Sequence, residues 1–150
     1  MRPWHAGDFN SSCFYADFQP CNSYSLATLK VVVDAFREIY PINTGIPTGK
    51  PVAVGRYPED AYFGGNPWYL CTLAVAEFLY DAVAQFKKAG SLTIDKIDLA
   101  FFKDIYPDAA TGTYKGGKFR DVLDSMTKYA DGFVSIVQVY SILTPARYNS

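Results

Sequence analysis

A chain of 150 residues is long enough to form one domain with its own hydrophobic core. With 49% hydrophobic residues, 19% charged residues and a formal net charge of −1, the composition argues against disorder and against the basic surface that nucleic acids require. The aromatic fraction of 17% favours a carbohydrate or apolar partner. No apolar run has transmembrane length, so no membrane is expected. No obligate protein partner is predicted either. The start, Met1–His5, lacks the apolar core of a signal peptide, which taken alone indicates the cytosol or a chain whose true start is missing.

Hydrophobic residues recur at helical spacing in four segments, which are bounded by proline or glycine. The predicted helices run from Ser23 or Ser25 to about Tyr40, from Pro67 to Lys88, from Asp95 to Pro107, and from Lys118 to Tyr140. No segment between them is a convincing strand, so the sequence predicts an all-α fold. Asn66 is the expected cap of the second helix, with Pro67 at its first position.

The same spacing assigns buried and exposed faces to these helices. In the first helix, Val32 is expected on the buried face and Arg37 on the opposite side. In the third helix, Ile97 is expected to be buried.

The segment from Val54 to Trp68 is the strongest candidate for a functional site. Its prolines and glycines predict a loop, and it contains an arginine, two acids and several aromatic rings. Rings stack on the C–H faces of sugars, while charged groups hydrogen-bond their hydroxyls. Arg56 alone could be a structural ion-pair partner, and Trp68 alone a core residue; together in one loop they favour a sugar site.

Other chemistry has weaker support. Glu59 and Asp60 could form a catalytic pair, but adjacent residues rarely face each other across a substrate, so Asp60 is interpreted as orienting Arg56 or a sugar hydroxyl. The segment Gly112–Lys118 has the glycine and lysine spacing of a P-loop, but Phe119 replaces the required Ser or Thr. His5, the only histidine, has no ligand cluster nearby, so no metal or cofactor is expected.

The cysteines leave two alternatives open. Cys13 and Cys21 flank a short loop, and a disulfide between them would contribute about 2–3 kcal/mol; alternatively, all three cysteines, including Cys71, are free thiols. Asn10 begins a glycosylation sequon, which shifts the balance towards a secreted protein.

Several motifs resemble the fungal glucoamylases of glycoside hydrolase family 15, inverting exo-glucosidases that release glucose from starch chain ends. The resemblance covers roughly residues 7–138. The matching segments are Gly55–Asp60, Gly65–Glu77, Leu79–Ala82, Phe101–Phe102, Ala109–Tyr114, Tyr129–Ser135 and the Cys13–Cys21 loop.

The resemblance implies an (α/α)6 barrel, of which four helices would form a part. It further implies that Arg56 binds α-glucan near the cleaved bond, that Trp68 forms part of the pocket wall, and that Tyr57, Asp60 and Tyr62 line or brace the site. Cys13–Cys21 would be the family's small disulfide loop, Cys71 a free core thiol, and the protein secreted.

The ends of the chain depart from the family pattern. Residues 1–6 and 139–150 look divergent, so the whole chain is interpreted as one fragment of a catalytic domain, from a truncated or mis-spliced product. Because the family's general acid and base would then be missing, no catalytic residue is assigned. The alternatives are a non-catalytic glucan-binding or interaction module and a small independent all-α protein.

Overall fold

The computed structural model describes Cys13 and residues 18–143, without the side chains of Phe63 and residues 140–143. Asn10, the predicted glycosylation site, and the chain ends at 1–12 and 144–150 lie outside the described residues. The regular elements are α1 (Ser23–Ile39), α2 (Tyr69–Ala89), β1 (Leu92–Ile94), α3 (Leu99–Ile105), β2 (Gly112–Tyr114) and α4 (Gly116–Leu143), with 3₁₀ turns at Pro41–Asn43 and Tyr62–Gly64. The prediction of four helices is confirmed. No helix in the described part of the chain is long and apolar enough to cross a membrane.

The prediction that no strand separates the helices is wrong. Leu92–Ile94 and Gly112–Tyr114 pair antiparallel, with Leu92 opposite Tyr114 and Ile94 opposite Gly112. Three-residue strands are too short to give a clear alternation, and their stability depends on a partner about twenty residues away in the chain. This ribbon connects the end of α2 to the beginning of α4.

Two helix starts also differ from the predictions. The N-cap of α1 is Asn22, whose side chain accepts a 2.9 Å hydrogen bond from the Tyr24 amide, rather than Ser23 or Ser25. Helix α2 begins at Tyr69, so Asn66 is not its cap. The Trp68 amide donates to the Val54 carbonyl over 3.0 Å, which keeps Trp68 extended and delays the helix.

The hydrophobic core lies mainly between α2 and α4, which share the largest interface of the fold. Its fully buried side chains include Leu79, Phe102, Val122, Met126 and Phe133. Val32 and Ile97 were expected in this core but are 39% and 37% exposed. Helical spacing gives the direction of a side chain, whereas the position of the neighbouring elements decides whether anything covers it.

Arg37 is buried, although its position predicted an exposed side chain. Its guanidinium donates to the carbonyls of Ile46, Pro47 and Lys50 at 2.9–3.2 Å. The loop after α1 therefore folds back over the helix and is held there by the buried Arg37 guanidinium. Its hydrogen bonds to backbone carbonyls replace those that it would make to water.

The beginning of α3 contains a buried carboxylate. Asp98 is 1% exposed, and its Oδ1 accepts a 2.9 Å hydrogen bond from the Asp95 amide. Burial raises the pKa of Asp98 to about 6, above its ordinary value of 3.8, and the nearby charge of Asp95 acts in the same direction.

We therefore expect Asp98 to make the protein less stable as the pH rises from 4 to 6. The folded state holds a proton there that the unfolded state has released, so the free energy of unfolding should fall by up to about 3 kcal/mol across this range. Asp98→Asn keeps an acceptor for the Asp95 amide and should remove this pH dependence. Urea unfolding at several pH values measures it, and Asp108→Asn, on an exposed turn, is the control. The expectation is contradicted if the free energy of unfolding falls equally with pH in the parent and in Asp98→Asn.

Candidate functional site

The predicted loop lies between a buried extended segment and the N-terminus of α2. Val52, Ala53 and Val54 are each no more than 3% exposed, so the chain enters the loop from the core. Gly55 passes so close to Tyr40 that a Cβ built on it would lie 1.8 Å from the tyrosine hydroxyl oxygen. Only glycine fits this passage, and the next residue, Arg56, emerges at the surface.

Arg56 and Asp60 form a two-pronged ion pair within the loop. Arg56 donates from Nε to Asp60 Oδ2 and from Nη2 to Asp60 Oδ1, each over 2.7 Å. The side chain of Arg56 is 37% exposed, whereas that of Asp60 is only 1% exposed. The Tyr62 amide also donates to Asp60 Oδ1 over 3.0 Å. The carboxylate is thus the buried anchor, and the guanidinium is the group that faces solvent.

This pairing determines the proton affinity of Asp60. The hydrogen bonds from Arg56, reinforced by the Tyr62 amide, hold the pKa of the Asp60 carboxyl below its ordinary value of 3.8, while the same contacts raise the pKa of Arg56. A general acid needs a raised pKa so that it carries a proton near neutral pH. Asp60 therefore suits orientation of Arg56 and does not suit proton donation. Its neighbour Glu59 is exposed.

Three aromatic rings surround the guanidinium. The Cζ atom of Arg56 lies 4.4 Å from the ring centroid of Trp68, 5.1 Å from that of Tyr62 and 5.5 Å from that of Tyr57. Tyr62 and Trp68 are also stacked, with centroids 5.9 Å apart and an interplanar angle of 20°. The structure thus brings together all five residues that the sequence singled out, at distances typical of cation–π contacts.

The cluster is open to solvent on one side. Tyr57 is 49% exposed and Tyr62 is 55% exposed, while Trp68 is half-buried. Exposed ring faces beside a fixed cation can stack on a sugar ring and hydrogen-bond its hydroxyls at the same time.

Sequence reasoning missed the residues that hold this loop from outside. Asn43, which is 2% exposed, accepts from the Ala53 amide and donates to the Ala53 carbonyl, each over 2.9 Å. Thr72 accepts from the Val54 amide over 3.0 Å. Thr72 lies within the Gly65–Glu77 segment and Asn43 lies outside the matched segments, but no local pattern reveals either role, because each side chain acts on a segment 10 or 18 residues away.

A disulfide joins Cys13 and Cys21, and Cys71 is free, half-buried, and has a pKa raised by burial. The segment Gly112–Lys118 spans β2 and the first turn of α4. Within the described part of the chain, no three potential metal ligands are grouped; His5 lies outside it.

Comparison with known proteins identifies close relatives. Residues 3–144 match the model of glycosyl hydrolases family 15. Glucoamylase P of Amorphotheca resinae is 54% identical over 137 residues, which are 89% of this chain and 22% of that protein. The glucoamylase of Neurospora crassa is 50% identical over 139 residues, or 91% and 22% of the two chains.

Solved structures agree with the sequence matches. The family 15 glucoamylase from Hypocrea jecorina superimposes with a TM-score of 0.85 at 46% identity, covering 94% of this chain and 24% of that one. The glucoamylase from Saccharomycopsis fibuligera has a TM-score of 0.74 at 27% identity, with coverage of 89% and 30%. The described helices therefore correspond to part of an (α/α)6 barrel, and the chain spans only 22–30% of the length of these relatives.

Gly55→Ala should destabilise the protein by about 1–3 kcal/mol, because the added methyl group overlaps the Tyr40 hydroxyl. Adding Tyr40→Phe removes the overlapping oxygen and should restore part of the loss. Gly117→Ala is the control, since a Cβ there has no neighbour within 4 Å. Thermal unfolding measures the stability of the parent, of Gly55→Ala with and without Tyr40→Phe, and of Gly117→Ala. A Gly55→Ala chain as stable as the parent would disprove the close passage.

Asp60→Asn should lower stability at pH 7 and loosen the ring cluster, because the amide cannot replace both charged bonds to Arg56. Since the folded pKa lies below 3.8, the stabilisation is present above pH 3.8 and is lost at lower pH, so the difference between the chains should disappear in acid. Glu59→Gln makes the same charge change at an exposed neighbour and should have little effect. Thermal unfolding at a series of pH values tests this expectation. A difference in stability between the parent and Asp60→Asn that stays constant into strong acid would contradict it.

Proposed function

The chain belongs to glycosyl hydrolases family 15, and we propose that its 54–68 loop is part of a site that binds the end of an α-1,4-linked glucan. The whole protein would then release glucose from starch and maltooligosaccharides by exo-hydrolysis with inversion. The proposal rests on the position of the Arg56 guanidinium, which is paired with buried Asp60 and surrounded by the rings of Tyr57, Tyr62 and Trp68.

The geometry leaves donors available for a sugar. A guanidinium has five N–H groups, and the two bonds to Asp60 use the one on Nε and one on Nη2. The others can donate to glucose hydroxyls, and the rings beside them can pack on its apolar faces. Because Asp60 holds Arg56 in place before the sugar arrives, binding would need little further ordering.

The proposed role of this cluster is binding and orientation. An inverting glycosidase needs an acid and a base about 6.5–9.5 Å apart on opposite sides of the bond. Asp60 is committed to Arg56, and its lowered pKa opposes proton donation. The acid and base steps would therefore be supplied by carboxylates in other parts of a family 15 barrel, of which residues 1–150 would form one portion. The Cys13–Cys21 disulfide supports secretion.

We expect the chain to bind maltoheptaose and not the β-linked cellohexaose, measured by isothermal titration calorimetry. Arg56→Lys should weaken binding by at least about tenfold, because an ammonium group lacks the planar fork that pairs with both oxygens of Asp60 and fixes the direction of the remaining donors. Arg120→Lys, the same exchange at an exposed position of α4, should leave the affinity unchanged.

A folded chain with no affinity for maltoheptaose would overturn the proposal, as would equal binding by Arg56→Lys. Glucose release should be measured in the same samples. We expect none from this chain; release that Asp60→Asn abolishes would instead make Asp60 a catalytic residue.

A further inference from the structure

The two ends of the 54–68 loop meet at one buried side chain. The Trp68 amide donates to the Val54 carbonyl over 3.0 Å, which closes the loop at its base. Thr72, one turn further along in α2 and 2% exposed, lies directly beside this junction. We use "loop base" for the backbone of Val54 and Trp68.

The Thr72 hydroxyl interacts with both sides of the loop base. Its Oγ1 accepts from the Val54 amide over 3.0 Å and lies 3.1 Å from the Trp68 carbonyl oxygen, to which it can donate. The Val54 carbonyl is 3.3 Å away and is a second acceptor within reach. The Val54 segment carries Arg56, and Trp68 is the ring nearest to it, so one hydroxyl connects the backbone supports of both groups.

The upstream side of the loop base is independently fixed. Asn43 binds both the amide and the carbonyl of Ala53, and its Nδ2 also donates to the Phe36 carbonyl over 2.8 Å. The Val54 segment is thus attached to α1 through Asn43 and to α2 through Thr72. A displacement of either attachment would change the separation of Arg56 from Trp68.

We propose that Thr72 is a positioning residue for the Arg56 site. Its hydroxyl sets the separation between the Arg56 guanidinium and the Trp68 ring, because it hydrogen-bonds the backbone of both Val54 and Trp68 at the loop base. Thr72 does not touch the sugar in this arrangement. Its effect on glucan affinity rests on the proposed function, whereas its effect on Trp68 does not.

The chain offers a matched control. Thr127 in α4 donates to the carbonyl four residues earlier, Leu123, over 2.8 Å, as Thr72 can to Trp68. Thr72→Val and Thr127→Val therefore make the same exchange and each removes a bond to the carbonyl four residues earlier, Thr72 from a fully buried position and Thr127 from a half-buried one; only Thr72→Val also removes a bond to the loop. Thr72→Ser retains the hydroxyl.

The test uses the chain with Trp4→Phe, so that Trp68 is the sole tryptophan. We expect Thr72→Val to increase acrylamide quenching of Trp68 and to weaken maltoheptaose binding by at least about tenfold, equivalent to about 1.4 kcal/mol. Thr72→Ser and Thr127→Val should match the parent in both readouts. All are compared at a temperature where circular dichroism shows each variant folded, so that a general loss of stability does not enter.

Unchanged quenching and affinity in folded Thr72→Val would overturn the proposal. Amide hydrogen exchange of the parent tests it without any substitution: the Val54 and Trp68 amides should both exchange slowly. A Val54 amide that exchanges as fast as those of Tyr57 and Glu59 would also overturn it. If exchange and quenching are as expected but the parent does not bind maltoheptaose, the proposed function is disproved and the role of Thr72 in placing Trp68 remains.

Discussion

The packing of α2 against α4 is the interaction on which the rest of the structure depends. The β1–β2 ribbon joins the end of α2 to the beginning of α4, so the two helices run in opposite directions along a shared apolar interface. Just past the middle of α4, Gly132 lets Pro51 approach; a Cβ there would lie 2.3 Å from the proline Cγ. The segment leading into the 54–68 loop therefore lies against α4 at Pro51 and is hydrogen-bonded to α2 at Val54, through Thr72.

The candidate site uses the contrast between a buried anion and a half-exposed cation. A carboxylate with a 1% exposed side chain is costly unless it is paired and hydrogen-bonded, and Asp60 obtains these partners from Arg56 and from the Tyr62 amide. The same bonds prevent the guanidinium from rotating freely. An arginine held in this way beside aromatic faces would need little reordering to bind the sugar that the proposed function requires.

Several large apolar side chains remain exposed on the surface of the described helices. Leu70 is 75% exposed, Val31 69% and Val139 53%. Single exposed aliphatic side chains are common on folded proteins, but on helices that form part of a larger barrel they can pack against the rest of that barrel. The observation agrees with a chain that spans 22–30% of its relatives, in whose barrels each helix has neighbours on both sides. Val32, which helical spacing placed in the core, belongs to the same exposed set, at 39%.

The sequence by itself determined the four helices, the aromatic loop with Arg56, and the family, because helical periodicity, proline and glycine punctuation, and local motifs are properties of neighbouring residues. The structure also assembled the five candidate residues of the loop into one cluster. Only the tertiary structure decided which residues hold that cluster and which helical faces are covered. The contacts of Asn43 and Thr72 with the loop, the burial of Arg37, and the pairing of β1 with β2 each depend on groups that are distant in the chain, for which no local pattern exists.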